Sequence, residues 1–120
     1  MRQILAIARA LSDESRLRAL LAVKDGELCV CQIIQVLGLS PATVSKHMQV
    51  LEQSGLVERT RRGKWRYYRL ARGAANPAAR QALRWVLGGL RDDPQLTDDA
   101  RRIRRVRRQD LEELSACYRS

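Results

Sequence analysis

Residues 40–57, SPATVSKHMQVLEQSGLV, constrain the fold more than any other segment of the chain. Ser40 is a favourable N-cap, and Pro41 fits the first helical position because the N–H that proline lacks would have no partner there. Gly55 is a favourable terminator, since glycine readily ends a helix. The segment therefore predicts a helix that begins at Pro41 and ends just before Gly55.

The two faces of this helix differ in character. Val44, Met48 and Leu51 are spaced i, i+4, i+7 and are predicted to face the core. The opposite face has small or polar side chains, namely Ala42, Thr43, Ser45, Lys46 and Gln49.

A second apolar helical pattern lies before this helix, over about 29–37, and ends at Gly38, one short turn earlier. Two helices in this order, the second with an exposed polar face, predict a helix-turn-helix motif.

The segment that follows, LVERTRRGKWRYYRL, predicts a β-hairpin with Gly63 at its tip. Arg61, Arg62 and Lys64 surround this glycine. A basic hairpin directly after a recognition helix is typical of a wing. We therefore predict a mainly α fold with a small β-hairpin, a winged helix-turn-helix.

The remaining helices are predicted from apolar periodicity. One covers the first ten or so residues, and another covers 12–24 with Ser12 as its N-cap. Two more follow the hairpin, at 77–90 and at about 97–115. The element order is then α-α-α-α-β-β-α-α, in a single domain over residues 1–120. The arginine-rich run RRIRRVRR at 101–108 is interpreted as the solvated face of the last helix.

Charge and cysteine content indicate the class of partner and the compartment. The 120 residues have a formal net charge of +10, which favours a polyanionic partner such as nucleic acid. Three cysteines do not make a disulfide framework, and the apolar core of the amino-terminal segment is too short for a secretory signal. We therefore predict a cytoplasmic protein with no membrane association.

Two of the cysteines, Cys29 and Cys31, lie where the helical pattern over 29–37 begins. Thiolates are natural ligands of soft ions. In an α-helix, two residues separated by one point roughly 200° apart, at 3.6 residues per turn. Chelation by this pair is therefore expected to unwind or bend the start of the helix. The alternative is that one cysteine is a core residue and the other has no function.

The chain resembles the ArsR/SmtB family of bacterial metal-responsive winged-helix repressors. The resemblance extends over about residues 11–70, through LSDESRLRALLAV, ELCVCQI, LSPATVSKHMQVLEQSGLV and RRGKWRYYRL. It implies a homodimer that binds operator DNA and leaves it when a thiophilic or transition-metal ion binds. It also implies that residues 1–10 and 76–115 form dimerisation helices.

The family's different sensing sites can be compared with this sequence. The zinc site on the dimerisation helix needs histidines, whereas the only histidine is His47, in the recognition helix. The cadmium and lead site needs an additional amino-terminal cysteine, and none precedes Cys29. The resemblance therefore implies the arsenic and antimony site, with As(III) or Sb(III) as inducer and no constitutive cofactor. Ile34 stands where some members have a third cysteine, so Cys117 or an exogenous ligand is expected to complete the site.

DNA contacts are expected from the recognition helix and the wing. We expect Ala42, Ser45 and Lys46 to reach base edges. Thr43 and Gln49 are expected to contact the DNA backbone, and Ser40 is also expected at the DNA interface. The wing residues Arg61, Arg62 and Lys64 are expected to contact phosphates or the minor groove. His47 is interpreted as a structural or phosphate-contacting residue.

An alternative function is a winged-helix regulator that senses an oxidant or reactive sulfur species, with a disulfide between Cys117 and either Cys29 or Cys31. A thiol oxidoreductase fits poorly, because the chain lacks a Cys-x-x-Cys motif and a βαβ pattern. We therefore predict that the protein is not an enzyme. The operator sequence, and the choice among arsenite, antimonite and a methylated arsenical, stay open.

Overall fold

The computed structural model describes residues 1–72 and 76–116. In chain order the elements of these residues are α1 (Arg2–Leu11), α2 (Glu14–Ala22), β1 (Leu28–Cys29), α3 (Val30–Leu37), α4 (Pro41–Gln53), β2 (Val57–Arg62), β3 (Trp65–Leu70), α5 (Pro77–Gly89), α6 (Pro94–Arg107) and α7 (Leu111–Ala116). Helices α3 and α4 form the helix-turn-helix, and β2 and β3 form the wing. The predicted winged helix-turn-helix is confirmed, with β1 and α7 as additional elements.

The recognition helix α4 has the predicted ends. The Ser40 hydroxyl accepts the backbone N–H of Thr43 at 3.2 Å, and Pro41 occupies the first helical position. Gly55 follows the helix with a φ of +84°, in the left-handed region that favours glycine. A Cβ at Gly55 would clash with the side-chain amide of Asn76, the N-cap of α5. Glycine at this position therefore allows the end of α4 to approach the start of α5.

The N-cap predicted for α2 is wrong by one residue. Asp13 is the N-cap, and its carboxylate accepts the backbone N–H of Arg16 at 3.0 Å. Ser12 instead closes α1, where its hydroxyl donates to the Arg9 carbonyl at 2.8 Å. With φ −90° and ψ 16°, Ser12 lacks the extended backbone that an N-cap requires.

The single helix predicted over 97–115 is also wrong, because the chain forms two helices there. Helix α6 starts at Pro94 and ends at Arg107, and α7 starts at Leu111. The Asp110 carboxylate accepts the backbone N–H of Glu112 at 2.7 Å, which favours a new helix start. Val106 and Leu111 are five residues apart, a spacing that does not keep both on one face of a continuous helix.

The three strands form one antiparallel sheet in the order β1-β3-β2. In β1, Leu28 pairs with Tyr68 and Cys29 pairs with Tyr67. This two-residue strand was not predicted. It joins the wing to the start of α3, so the first cysteine is part of the wing's own sheet.

Buried apolar side chains form two clusters. The larger cluster joins α1–α5 and the sheet, and it contains Val44, Met48 and Leu51, each 0% exposed, as predicted. The smaller cluster, which we call the second core, joins β1 and α3 to β3, α6 and α7. Its buried members are Cys29, Cys31, Val36, Val106 and Leu114. The cysteines therefore lie outside the main core.

A buried ion pair attaches α6 to the rest of the domain. Asp99 is 2% exposed, and its two carboxylate oxygens accept Nε and Nη2 of Arg18 on α2, both at 2.9 Å. Further along the same helix, Arg107 donates to the carbonyls of Gly26 and Glu27. The arginine run is thus only partly a solvated face.

Among the described residues, none of the helices has the length and apolar character needed to cross a membrane.

Candidate functional site

The two cysteines near the start of α3 have different backbone conformations. Cys29 ends β1 and is the N-cap of α3, with extended φ −70° and ψ 150°, whereas Cys31 lies in the first helical turn. Their sulfur atoms are 3.3 Å apart. The expectation that chelation must unwind the helix is therefore wrong. The 200° separation holds for two helical residues, and here one of the two precedes the helix.

The pKa values of the two thiols are shifted in opposite directions. The Cys31 thiol donates to the Cys29 sulfur, which lowers the pKa of Cys29 from 9.0 to about 6, against the opposing effect of burial. Backbone N–H groups of Cys31, Val30 and Arg66 also lower it. The pKa of Cys31 is raised, because its proton is held by the Cys29 sulfur and because the thiol is buried. The arrangement therefore favours a thiolate on Cys29 and a protonated thiol on Cys31.

Gln32 holds the Cys29 backbone in this arrangement. Its side-chain oxygen accepts the Cys29 N–H at 2.8 Å, as the third residue of a capping box does. Gln32 was not predicted as a site residue, because a capping box usually begins with Ser or Thr and this one begins with Cys29.

A cavity of about 470 Å³ adjoins the two sulfurs. We call it the thiol cleft, and its walls include Cys29, Cys31, Pro41, Ser45, Trp65 and Ser115. Pro41 and Ser45 belong to the recognition helix, Trp65 to the wing and Ser115 to α7. An occupant of this cleft would therefore touch both DNA-reading elements.

The exposed face of the recognition helix matches the prediction except at one residue. Ser40, Ala42, Thr43, Lys46 and Gln49 are exposed, whereas Ser45 is half-buried and borders the thiol cleft. His47 is also half-buried, with its Nδ1 atom 3.4 Å from Nη1 of Arg16. This contact fits a structural role for the histidine.

Two of the three predicted wing cations have carboxylate partners. Arg62 forms an ion pair with Glu27 and lies 3.9 Å from the centroid of the Tyr67 ring. Lys64 lies 2.5 Å from a carboxylate oxygen of Glu112 on α7. Neither acid was predicted, because contacts over such long chain separations leave no local signal. Arg61 donates to the Gly63 carbonyl at 3.2 Å, within the hairpin tip.

Comparison with known proteins identifies the family. The model of the arsR family of bacterial regulatory proteins matches residues 13–59, which run from the start of α2 to the first strand of the wing. An arsenic resistance transcriptional regulator of Pseudomonas putida is 37% identical over 109 residues, which are 86% of this chain and 81% of that protein. The chain belongs to the arsR family.

Other relatives and solved structures agree with this assignment. The arsenical resistance operon repressor of Escherichia coli is 41% identical over 64 residues, 52% of this chain and 55% of that protein. A homodimeric winged helix-turn-helix domain from Mycobacterium bovis, described as a possible ArsR-family regulator, has a TM-score of 0.61. It is 32% identical, over 75% of this chain and 82% of that domain. As an arsR-family member, the protein is a DNA-binding transcriptional regulator and not an enzyme.

The first and fifth helices of this arsR-family chain expose large apolar side chains. Ile4 and Leu5 on α1 are 59% and 61% exposed, and Trp85 on α5 is 72% exposed. Gln3 on α1 donates to the Asn76 side chain at the start of α5, so the two helices are joined. Their apolar residues lie on the elements that were predicted to form the dimer.

The third predicted ligand, Cys117, lies outside the described residues. Within the described part of the chain, no group of three or more His, Cys, Asp or Glu side chains could hold a metal ion. The described residues therefore contribute a pair of thiols to the candidate site.

Proposed function

We propose that the protein is a homodimeric transcriptional repressor, acting in the cytoplasm, that releases its operator when Cys29 and Cys31 bind trivalent arsenic or antimony. The observation that supports this most directly is the 3.3 Å separation of the two sulfurs at a helix start, with the pKa of Cys29 lowered to about 6. The relatives named for arsenic resistance support an arsenical as inducer.

The separation of the sulfurs favours a particular coordination geometry. At a bond length of about 2.3 Å, as in zinc thiolates, an ion bound to two sulfurs 3.3 Å apart has an S–ion–S angle of about 90°. That angle is narrower than the tetrahedral angle of structural zinc sites. It suits a trivalent ion of arsenic or antimony, whose lone pair compresses its three bonds into a pyramid.

We propose that Cys117 supplies the third thiolate. Ser115 on α7 borders the thiol cleft, and Cys117 follows it by two residues, a span of at most about 7 Å. This distance is short enough for the thiol to reach the cleft. If Cys117 does not bind, solvent or an added thiol takes the third position.

Ligand binding and DNA binding are coupled through the shared wall of the cleft. Ser45 on α4 and Trp65 on β3 both line it, so an ion with its ligands in the cleft acts on the recognition helix and on the wing. Only an ion that binds the DNA-free conformation more tightly can release DNA. We therefore assign Ser45 to this coupling rather than to base contact.

DNA contacts are assigned to the remaining exposed residues of α4 and to the wing. Lys46 and Ala42 are proposed to reach base edges in the major groove. Backbone contacts are proposed for Ser40, Thr43, Gln49, Arg61, Arg62 and Lys64. A homodimer formed through α1 and α5 then requires a pseudo-palindromic operator with half-sites about one DNA turn, or a multiple of it, apart.

The same thiol pair favours a second candidate function, sensing of an oxidant or reactive sulfur species. A thiol whose pKa is lowered to about 6 is largely thiolate at neutral pH and reacts readily with such species. Under a reductant this function is suppressed, whereas release by arsenite persists.

The test is a titration of arsenite or antimonite against the operator complex under a reductant. Wild type should lose operator affinity by roughly 5- to 150-fold, the usual range of coupling between two sites. Cys29→Ser and Cys31→Ser should bind DNA normally and not respond. Cys117→Ser should weaken the response if it is the third ligand. Release from both Cys29→Ser and Cys31→Ser at wild-type inducer concentrations would show that the proposed site is wrong.

A further inference from the structure

Helix α7 packs against the thiol site and faces the wing. Leu114 is 6% exposed and belongs to the second core with Cys29 and Cys31. Ser115 borders the thiol cleft. Glu112, on the same short helix, extends to the wing tip and contacts Lys64. One helix therefore touches both the proposed sensing site and a proposed DNA contact.

The contact with Lys64 is an exposed ion pair. The carboxylate oxygen of Glu112 lies 2.5 Å from the Lys64 ammonium, and the two side chains are 57% and 52% exposed. The ammonium also lies 4.9 Å from the centroid of the Trp65 ring, which lines the thiol cleft. An exposed pair of this kind contributes at most about 1 kcal/mol, so another anion can displace it.

A DNA phosphate is such an anion. Lysine binds carboxylate and phosphate through the same ammonium group, and a carboxylate left beside a bound phosphate repels it. We infer that Glu112 is a positioning residue that competes with operator DNA for Lys64, so that α7 lowers the operator affinity of the wing. This inference rests on the proposed contact between Lys64 and DNA.

Helix α7 also connects the proposed sensing site to the wing, by a route separate from the recognition helix. Docking of α7 depends on Leu114 in the second core, where the two cysteines also pack. A change in the packing of the second core therefore shifts α7 and alters the contact between Glu112 and Lys64. The acid therefore adjusts the baseline affinity for operator without contacting DNA.

A double-mutant cycle tests the inference. Operator affinity at low salt would be measured for Glu112→Gln, Lys64→Ala and the double variant. Glu113→Gln is the matched control, because it removes the same charge from the adjacent exposed position of α7. Glu112→Gln should tighten operator binding by up to about 5-fold, the limit set by an exposed pair. Glu113→Gln should have a smaller effect, since it leaves the Glu112–Lys64 ion pair in place.

In the Lys64→Ala background, Glu112→Gln should increase operator affinity by no more than Glu113→Gln does. The inference would be overturned if Glu112→Gln and Glu113→Gln increased operator affinity equally in the wild-type background. It would also be overturned if Glu112→Gln increased operator affinity by the full amount in the Lys64→Ala background. Weak binding by Lys64→Ala with no coupling to Glu112 would overturn the inference alone. Wild-type affinity for Lys64→Ala, with either residue at 112, would overturn the wing contact and the inference together.

Discussion

The sulfur atoms of Cys29 and Cys31 lie 3.3 Å apart although only the second residue is helical. Pairing of Cys29 with Tyr67 of the wing keeps its backbone extended, while Cys31 starts the first turn of α3. The sheet and the helix thus bring the two thiols together in the free protein. If the pair binds an ion as proposed, little backbone rearrangement is needed at Cys29 and Cys31, which reduces the cost of ligand binding.

This geometry predicts that one thiolate forms near pH 6. With Cys117→Ser as background, the ultraviolet absorbance of thiolate should rise by one equivalent as the pH passes about 6, because the Cys31 thiol donates to the Cys29 sulfur. The folded pKa lies below the ordinary value of 9.0, so Cys29 contributes stability above that value. That contribution is lost as the pH falls through about 6.

Two substitutions of Cys31 separate the causes of this shift. Cys31→Ala removes the donor and should raise the pKa of Cys29 towards its ordinary value. Cys31→Ser keeps a hydroxyl donor and should leave the pKa between the other two. An identical low pKa in wild type and Cys31→Ala would show that backbone N–H groups, rather than the second thiol, stabilise the thiolate.

The second prediction distinguishes contacts with base edges from contacts with the DNA backbone. Lys46→Ala should weaken binding to the operator but not to scrambled DNA, reducing discrimination by about 1–3 kcal/mol. Arg61→Ala should weaken binding to both DNAs and lower the salt slope by about 1, because a phosphate contact is lost. The measurement is operator and scrambled-DNA affinity over a range of salt. Equal salt slopes in wild type and Arg61→Ala would remove Arg61 from the DNA interface.

The helix-turn-helix could be predicted from local sequence because its signals are local. Ser40, Pro41 and Gly55 act through their own backbone, and the spacing of Val44 and Met48 gives the buried face directly. The strand β1 could not be predicted in this way, since two residues give no periodicity and Leu28 and Cys29 pair with residues about 40 positions away.

The candidate site was predicted in composition but not in geometry. The cysteine pair was identified from its residue types, yet its convergence depends on β1, and the burial of Ser45 depends on how α4 packs beside the wing. Likewise, the partners of Arg62 and Lys64 come from Glu27 and α7, contacts that only the tertiary structure creates. The surroundings of these side chains therefore could not be predicted where several elements meet.

The third prediction concerns dimerisation. Trp85 is 72% exposed, and burial of a tryptophan at the centre of an interface commonly contributes 2 kcal/mol or more. Trp85→Gln should therefore raise the dimer dissociation constant by about 30-fold or more. Arg80→Gln, at another exposed position of α5, is the control and should leave the constant nearly unchanged. Sedimentation at micromolar concentration measures both, and a dimeric Trp85→Gln variant of wild-type affinity would place the interface elsewhere.

The last prediction concerns the attachment of α6. Asp99 is 2% exposed and binds Arg18 through two hydrogen bonds of 2.9 Å, so its neutralisation leaves a largely buried guanidinium without its charge partner. Asp99→Asn should therefore lower the free energy of unfolding by about 3–5 kcal/mol, the usual cost of breaking a buried pair. Asp98→Asn removes the same charge one residue earlier, from a side chain that is 48% exposed and paired with Arg102. It should cost less than about 1 kcal/mol, because an exposed pair is screened by solvent. Urea unfolding of both variants provides the comparison, and similar losses would mean that the Arg18–Asp99 pair does not hold α6 to the domain.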